Sequence, residues 1–101
     1  MKFIHEKNRI YVEDEEGDVI VLATFPFIKE NVIDVRSTFV TPSLRGKGVA
    51  SELMNEIYKH AKEHNYTVVN TCPYAVAWFK RHKDKHDVLN KELQTDPQCQ
   101  I

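Results

Sequence analysis

Apolar and polar positions alternate along the first half of the chain, and the rhythm changes at Gly46. Before it the apolar residues keep a strand period. Phe3 to Glu6 and Ile10 to Glu13 are predicted as short strands around the turn Lys7-Asn8-Arg9. Asp14-Glu15-Glu16-Gly17-Asp18 is a polar turn in which Gly17 can adopt a positive φ. Val19 to Phe25 is β-branched and almost continuously apolar, which predicts a central strand covered on both faces. Pro26 cannot donate to a ladder and marks a bulge or that strand's end. After the turn Lys29-Glu30-Asn31, Val32 to Val40 reads as one long strand. Its alternation places Ile33, Val35, Ser37 and Phe39 on one face.

From Gly46 the period is helical. At 100° per residue, Val49, Leu53, Met54, Ile57 and Ala61 fall within one arc of roughly 140°. Ser51, Glu52, Asn55, Glu56, Lys59, Lys62 and Glu63 fill the opposite arc. The helix is predicted over Gly46 to His64 and closes at Asn65-Tyr66. Thr67 to Asn70 is a short buried strand. A helix separates it from Val32–Val40, so it is expected to pair parallel to that strand by a right-handed crossover. Pro73 to His82 is a second helix with proline at its first position, and Ala75, Val76, Trp78 and Phe79 face inward. Lys83 to Leu93 is expected to hold a frayed helical turn, and Thr95 to Ile101 a loose tail. The fold class is therefore mixed α/β. Four mostly antiparallel strands, a helix, a parallel strand and a second helix form a single domain over residues 1–101.

Composition removes several function classes. Of 101 residues, 42% are hydrophobic and 29% charged, as in ordinary globular domains. A net charge of −1 gives no global field to recruit nucleic acid or an anionic membrane. No apolar run approaches the ~20 residues of a membrane span. Met1 to Glu6 lacks the apolar region of a secretory leader. Cys72 and Cys99 are too few for a disulfide scaffold or zinc site. The expectation is a cytoplasmic protein with reduced thiols and no metal.

The candidate chemistry lies where the rhythm changes, at Val40-Thr41-Pro42-Ser43-Leu44-Arg45-Gly46-Lys47-Gly48-Val49-Ala50. A strand runs through a short glycine-containing loop into a helix. Backbone N–H groups and the positive end of the helix dipole then converge on one spot, which suits phosphate or pyrophosphate. Gly46 and Gly48 allow close backbone approach, and Arg45 and Lys47 add charge. A Walker A loop would need glycine where Thr41 stands and Ser or Thr where Gly48 stands. A dinucleotide fingerprint would need glycine at Ser51. Both are excluded.

Arg45-Gly46-Lys47-Gly48-Val49-Ala50 fits the R/Q-x-x-G-x-G/A motif, and the chain from about Thr38 to about His82 resembles the GNAT acetyltransferases. It is most similar to their very short members. The resemblance implies that Arg45 to Ala50 hold the pyrophosphate of acetyl-coenzyme A (acetyl-CoA) and that backbone N–H near Phe39 and Val40 polarises the thioester. The pantetheine arm would enter between the fourth and fifth strands. Arg81, within the basic run Lys80 to His86, would help hold the 3′-phosphate. Two N-terminal helices of a full GNAT domain, which build the acceptor wall, are absent because Glu6 and Ile10 stand too close.

Cys72 precedes Pro73, so it is biased to an extended conformation at a helix N-terminus, where a thiolate is favoured. By resemblance it lines the gap between strands, at a position where many GNAT proteins carry asparagine. It is a candidate proton donor to the departing thiolate or a nucleophile. The plainer alternative is a small buried hydrophobe. Phe79 stands where many GNAT proteins place a tyrosine acid and cannot donate a proton. Tyr74 and His82 are the further candidates to substitute for it. His60-Ala61-Lys62-Glu63-His64 matches an inverted zinc-peptidase pattern but lacks a third ligand and sits in a helix's last turn. The implied function is acetyl-CoA-dependent transfer to an amine of unidentified identity. The alternatives are a non-catalytic acyl-CoA-binding module or sensor, and a small interaction protein. Oligomeric state is left open.

Overall fold

The computed structural model describes residues 1–90. The expected tail from Thr95, Cys99 within it, and the end of the Lys83 to Leu93 segment lie outside the described residues. Among the described residues seven strands form: β1 (Ile4–His5), β2 (Arg9–Glu13), β3 (Val19–Thr24), β4 (Phe27–Lys29), β5 (Val32–Val35), β6 (Ser37–Val40) and β7 (Thr67–Asn70). The helices are α1 (Val49–His64) and α2 (Pro73–Arg81), with 3-10 turns at Pro42–Leu44 and Lys83–Val88. The last of these accounts for the expected helical turn after α2.

The strands divide into two ladders. β1-β2-β3-β6 is antiparallel throughout, while β5 lies between antiparallel β4 and parallel β7. The expected parallel pairing of Thr67–Asn70 is present, with Val32 opposite Thr67 and Val35 opposite Asn70. Alternation sorts the first ladder into two faces. Ile10, Val12, Val21 and Ala23 are buried beneath α1. Ile4, Tyr11, Leu22 and Phe39 stand directly opposite one another across four strands on the other face. That face stays partly open, and Phe39 is 43% exposed. The central strand is thus covered on one face only, not on both.

One further expectation holds and one changes. The strand starting at Val19 ends before Pro26, as expected, and the chain resumes as β4, which pairs with β5. The long strand Val32 to Val40 is two strands broken by a bulge at Arg36. Arg36 N–H donates to Thr24 C=O at 3.0 Å, while Ser37 is the cross-strand partner of Thr24. One extra residue reverses the parity of everything after it. Ser37 and Phe39 therefore turn outward, although alternation placed them on one face with Ile33 and Val35, which are buried; Thr38 and Val40 turn inward. No periodicity argument detects this, because each half alternates correctly by itself.

α1 begins three residues later than expected. Gly46 and Gly48 take φ of 81° and 78°, so the loop turns through left-handed backbone before Val49 enters the helix. Val49, Leu53, Met54, Ile57 and Ala61 are buried, as their arc predicted. His60 is buried as well, which the arc did not include. α2 ends at Arg81 and buries Ala75, Trp78 and Phe79, with Val76 half-buried. No helix is long and apolar enough to cross a membrane among the described residues.

Candidate functional site

The bulge also separates β6 from β7. β5 pairs with β7 up to Val35 and Asn70, and there the ladder stops. Thr71 N–H and Cys72 N–H both donate to Val35 C=O, at 3.1 and 3.0 Å, so the chain turns into α2 instead of following β6. β6 is consequently an edge strand on its β7 side. Thr41 N–H donates to Ile20 C=O at 2.8 Å, which fixes the phase of the β3–β6 ladder. Phe39 then exchanges its hydrogen bonds with Leu22, while the N–H and C=O groups of Thr38 and Val40 face the open edge. Of the two backbone positions singled out in the sequence, Phe39 is committed to the ladder and Val40 faces the fork. Thr38 is the second edge donor, missed because the bulge was.

At the far end of β6 the chain passes through Pro42–Leu44 into the glycine loop. Arg45 Nε donates to Val40 C=O at 3.0 Å, so the guanidinium ties the loop to the strand. Gly48 is the N-cap of α1 in left-handed conformation, and no side chain caps the helix. No backbone carbonyl among the described residues receives the N–H of Gly46, Lys47, Gly48, Val49, Ala50 or Ser51; the first such bond is Glu52 N–H to Gly48 C=O. Six amides, with the helix dipole behind them, therefore lack an internal acceptor. A Cβ built on Gly46 or Gly48 meets no protein atom within 4 Å. Their glycine identity answers to the positive φ.

Cys72 is the N-cap of α2, 6% exposed, with Sγ 3.5 Å from Thr38 Oγ1. The thiol thus lies within the fork, against the inward face of β6. Tyr74 is half-buried and packs on the core. Phe79 is 2% exposed, edge-on to Trp78. His82 stacks on Trp78 at 4.1 Å, and its Nδ1 bonds Trp78 C=O at 2.7 Å, which occupies it structurally. Trp78 Nε1 donates to Ser51 Oγ at 2.9 Å and locks α2 beside the first turn of α1. Arg81, exposed, is nearly one turn further along α2.

A glycine-looped helix start with free amides, placed at the end of an edge strand that forks from its neighbour, is a particular architecture, and the comparisons identify it. The sequence model of the GCN5-related N-acetyl-transferase family matches residues 9–88. The chain belongs to this family. A GCN5-like candidate N-acetyltransferase from Staphylococcus aureus, solved by NMR, superposes with a TM-score of 0.72 at 26% identity over 88% of this chain and 87% of that one. Tetrahymena GCN5 superposes at 0.59 with 18% identity, over 85% of this chain and 62% of its own. Rv2747 of Mycobacterium tuberculosis, in complex with CoA and NLQ, superposes at 0.55 with 16% identity, over 76% and 48%. The chain therefore spans less than two thirds of the two longer relatives, and at those identities they show the fold alone. No curated protein matches it in sequence.

Glu6 N–H bonds Arg9 C=O at 2.8 Å, a tight turn that joins β1 directly to β2, as the spacing of Glu6 and Ile10 implied. Sequence reasoning located the glycine loop and Cys72. It passed over Thr38, Asp34, Arg36 and Thr71, which surround the fork. The available signal was Asp34, a charge inside the apolar run Val32 to Val35.

Proposed function

We propose that this protein is an acetyl-CoA-dependent N-acetyltransferase. The observation that carries the reading is the set of six unpartnered amides from Gly46 to Ser51, at the end of the β6 edge. A pyrophosphate suits such a set because each N–H to a charged oxygen is a charge-assisted bond at a helix start. Arg45, Lys47, Val49 and Ala50 complete the pyrophosphate loop, and Arg81 reaches toward the 3′-phosphate. The CoA-bound Mycobacterium relative supports the ligand class.

The pantetheine arm then runs along the β6 edge, bonding the N–H of Val40 and the backbone groups of Thr38, and its thioester comes to the fork. One of the edge N–H groups polarises the carbonyl oxygen. A neutral amine attacks the carbonyl carbon, and the C–S bond breaks as the amide forms. Cys72 gives its thiol proton to the coenzyme sulfur, and the proton lost by the amine restores it. A thiol suits this task because its ordinary acidity is close to that of the leaving thiol.

Titration calorimetry with acetyl-CoA tests the ligand, and a panel of amines tests turnover. Cys72→Ser is expected to lower kcat about 10²-fold with little change in coenzyme affinity. Unchanged turnover would leave Cys72 a packing residue. An acetyl adduct on Cys72 in the mass spectrum would make it the nucleophile instead. One observation favours a second reading, a non-catalytic acyl-CoA-binding module: the tyrosine acid common in the family is a buried phenylalanine here. Binding without turnover over the whole panel would establish that reading.

A further inference from the structure

We infer that Asp34 is a positioning residue: through Thr71 and Arg36 it holds the fork between β6 and β7 open and sets the place of the Cys72 thiol. The inference rests on reading the fork as the acyl site. Asp34 is 3% exposed in the middle of the most buried strand. Its Oδ1 accepts from Thr71 Oγ1 at 2.9 Å, and its Oδ2 accepts from Arg36 Nη2 at 3.1 Å. A carboxylate buried at this cost is a poor device for stability, since a well-packed apolar residue would serve as well. Its two partners explain it better. Arg36 is the bulge residue where β5 becomes β6, and Thr71 is the first residue after β7.

These are the two residues that would pair next if the β5–β7 ladder continued past Val35 and Asn70. Asp34 binds both side chains and so holds the strands at the point of separation, while Val35 C=O collects the N–H of Thr71 and Cys72. Cys72 follows Thr71 directly, and its Sγ contacts Thr38 Oγ1 on β6. Releasing Thr71 therefore moves the thiol relative to the edge that receives the thioester. A displacement of about 1 Å at a reacting group costs on the order of 10²-fold in rate.

Three variants of the full chain isolate the two arms. Thr71→Val removes one arm at constant shape, and Thr71→Ser keeps it. Asp34→Asn still accepts from Thr71 but turns N–H donors toward the Arg36 guanidinium. Two readouts are taken: kcat with acetyl-CoA and an amine, and the rate at which iodoacetamide alkylates Cys72, followed by peptide mass spectrometry, which needs no turnover. The expected result for Thr71→Val and Asp34→Asn is a kcat lowered about 10- to 100-fold and a Cys72 alkylation rate changed by at least about fivefold. The acetyl-CoA dissociation constant stays within about threefold, and Thr71→Ser behaves like the parent. A lower melting temperature with alkylation and kcat unchanged would reduce Asp34 to a structural residue and overturn the inference. If the parent shows no transfer but alkylation still shifts, the positioning stands and the acyltransferase reading fails. If the parent transfers and neither variant moves either readout, the positioning alone fails. Should Thr71→Val not fold, Asp34→Asn decides by the same readouts.

Discussion

The two ends of α1 are built from the same kinds of part and solve opposite problems. At the C-terminal end, Asn65 takes the left-handed conformation with φ 59°, and Tyr66 N–H closes on Ala61 C=O at 2.9 Å. His64 Nδ1 bonds His60 C=O, and the rings of His60, His64 and Tyr66 pack together. The carbonyls of Ala61 and Lys62 are answered there from within the chain. At the N-terminal end, Gly48 takes the same left-handed conformation, but no backbone carbonyl among the described residues receives the N–H groups of residues 46–51. A helix end costs stability unless its groups find partners. One end closes part of its backbone within the chain; the other, under the function proposed above, offers its N–H groups to the coenzyme. The difference is one of satisfaction, since the backbone geometry is common to both.

The strongest way to break this contrast is to close the open end. Gly48→Val puts a β-branched side chain at φ 78°, in the space above the loop. It is expected to lower acetyl-CoA affinity at least about a thousandfold, equivalent to losing two charge-assisted hydrogen bonds. Calorimetry on protein shown folded by circular dichroism checks it. A folded variant that binds like the parent would remove the loop from the site.

How far each end was legible in the sequence follows from the same physics. The loop ahead of α1 was legible, because a strand, two glycines and an amphipathic run follow one another in the sequence. The order of elements was legible too, since strand and helix periods differ and Pro73 marks a helix start. The bulge at Arg36 was not, because a single inserted residue leaves both flanking patterns intact while reversing their relation. With it went the faces of Ser37 and Phe39, the free edge at Thr38, and the fork that gives Cys72 its neighbours. His60 was misjudged for another reason. A histidine in a helix's last turn suits the dipole whether buried or not, and the residues that bury it, His5, Phe25 and Tyr66, are distant from it in the sequence or beyond the helix.

The closed end is expected to be sensitive to protons. His60 is 3% exposed, with its Nδ1 3.1 Å from His5 Nδ1 and its Nε2 without a partner. One tautomer assignment satisfies the network: His60 Nδ1–H donates to His5, and His5 Nε2–H donates to Glu56 at 2.9 Å. Protonation of His60 would bury an unanswered N–H. Desolvation, then the neighbouring His64 and His5, push its pKa down to about 4, against the opposing pull of Glu63; Phe25 and Tyr66 supply the apolar wall. The unfolded chain, with an ordinary histidine, binds the proton first as pH falls. Stability is therefore full above about pH 6.5 and declines toward pH 4, by up to about 3 kcal/mol. Urea midpoints at pH 7, 5.5 and 4.5 would show the slope, and His60→Phe should flatten it. Acetyl-CoA affinity at pH 7 should be the same in both proteins. An equal slope in the variant would place the sensitivity elsewhere.

The smallest effect gives the most exact comparison, because it alters the same backbone conformation at the other end of the helix. Asn65→Ala places a residue without a local hydrogen-bonding side chain at φ 59°. The expected cost is about 1 kcal/mol of stability. Asn65→Gly should fall within about 0.5 kcal/mol of the parent, because the freedom glycine gains in the unfolded chain offsets the strain it relieves. Neither should change acetyl-CoA affinity measurably, since the substitution lies at the opposite end of α1 from the glycine loop. Gly48→Ala, by contrast, should cost similar stability and also weaken acetyl-CoA binding. Melting temperatures and calorimetry on the three variants separate the two quantities. Equal binding losses at both ends would mean that the left-handed caps act only through helix stability, and the distinction between a satisfied and an unsatisfied terminus would lose its functional meaning.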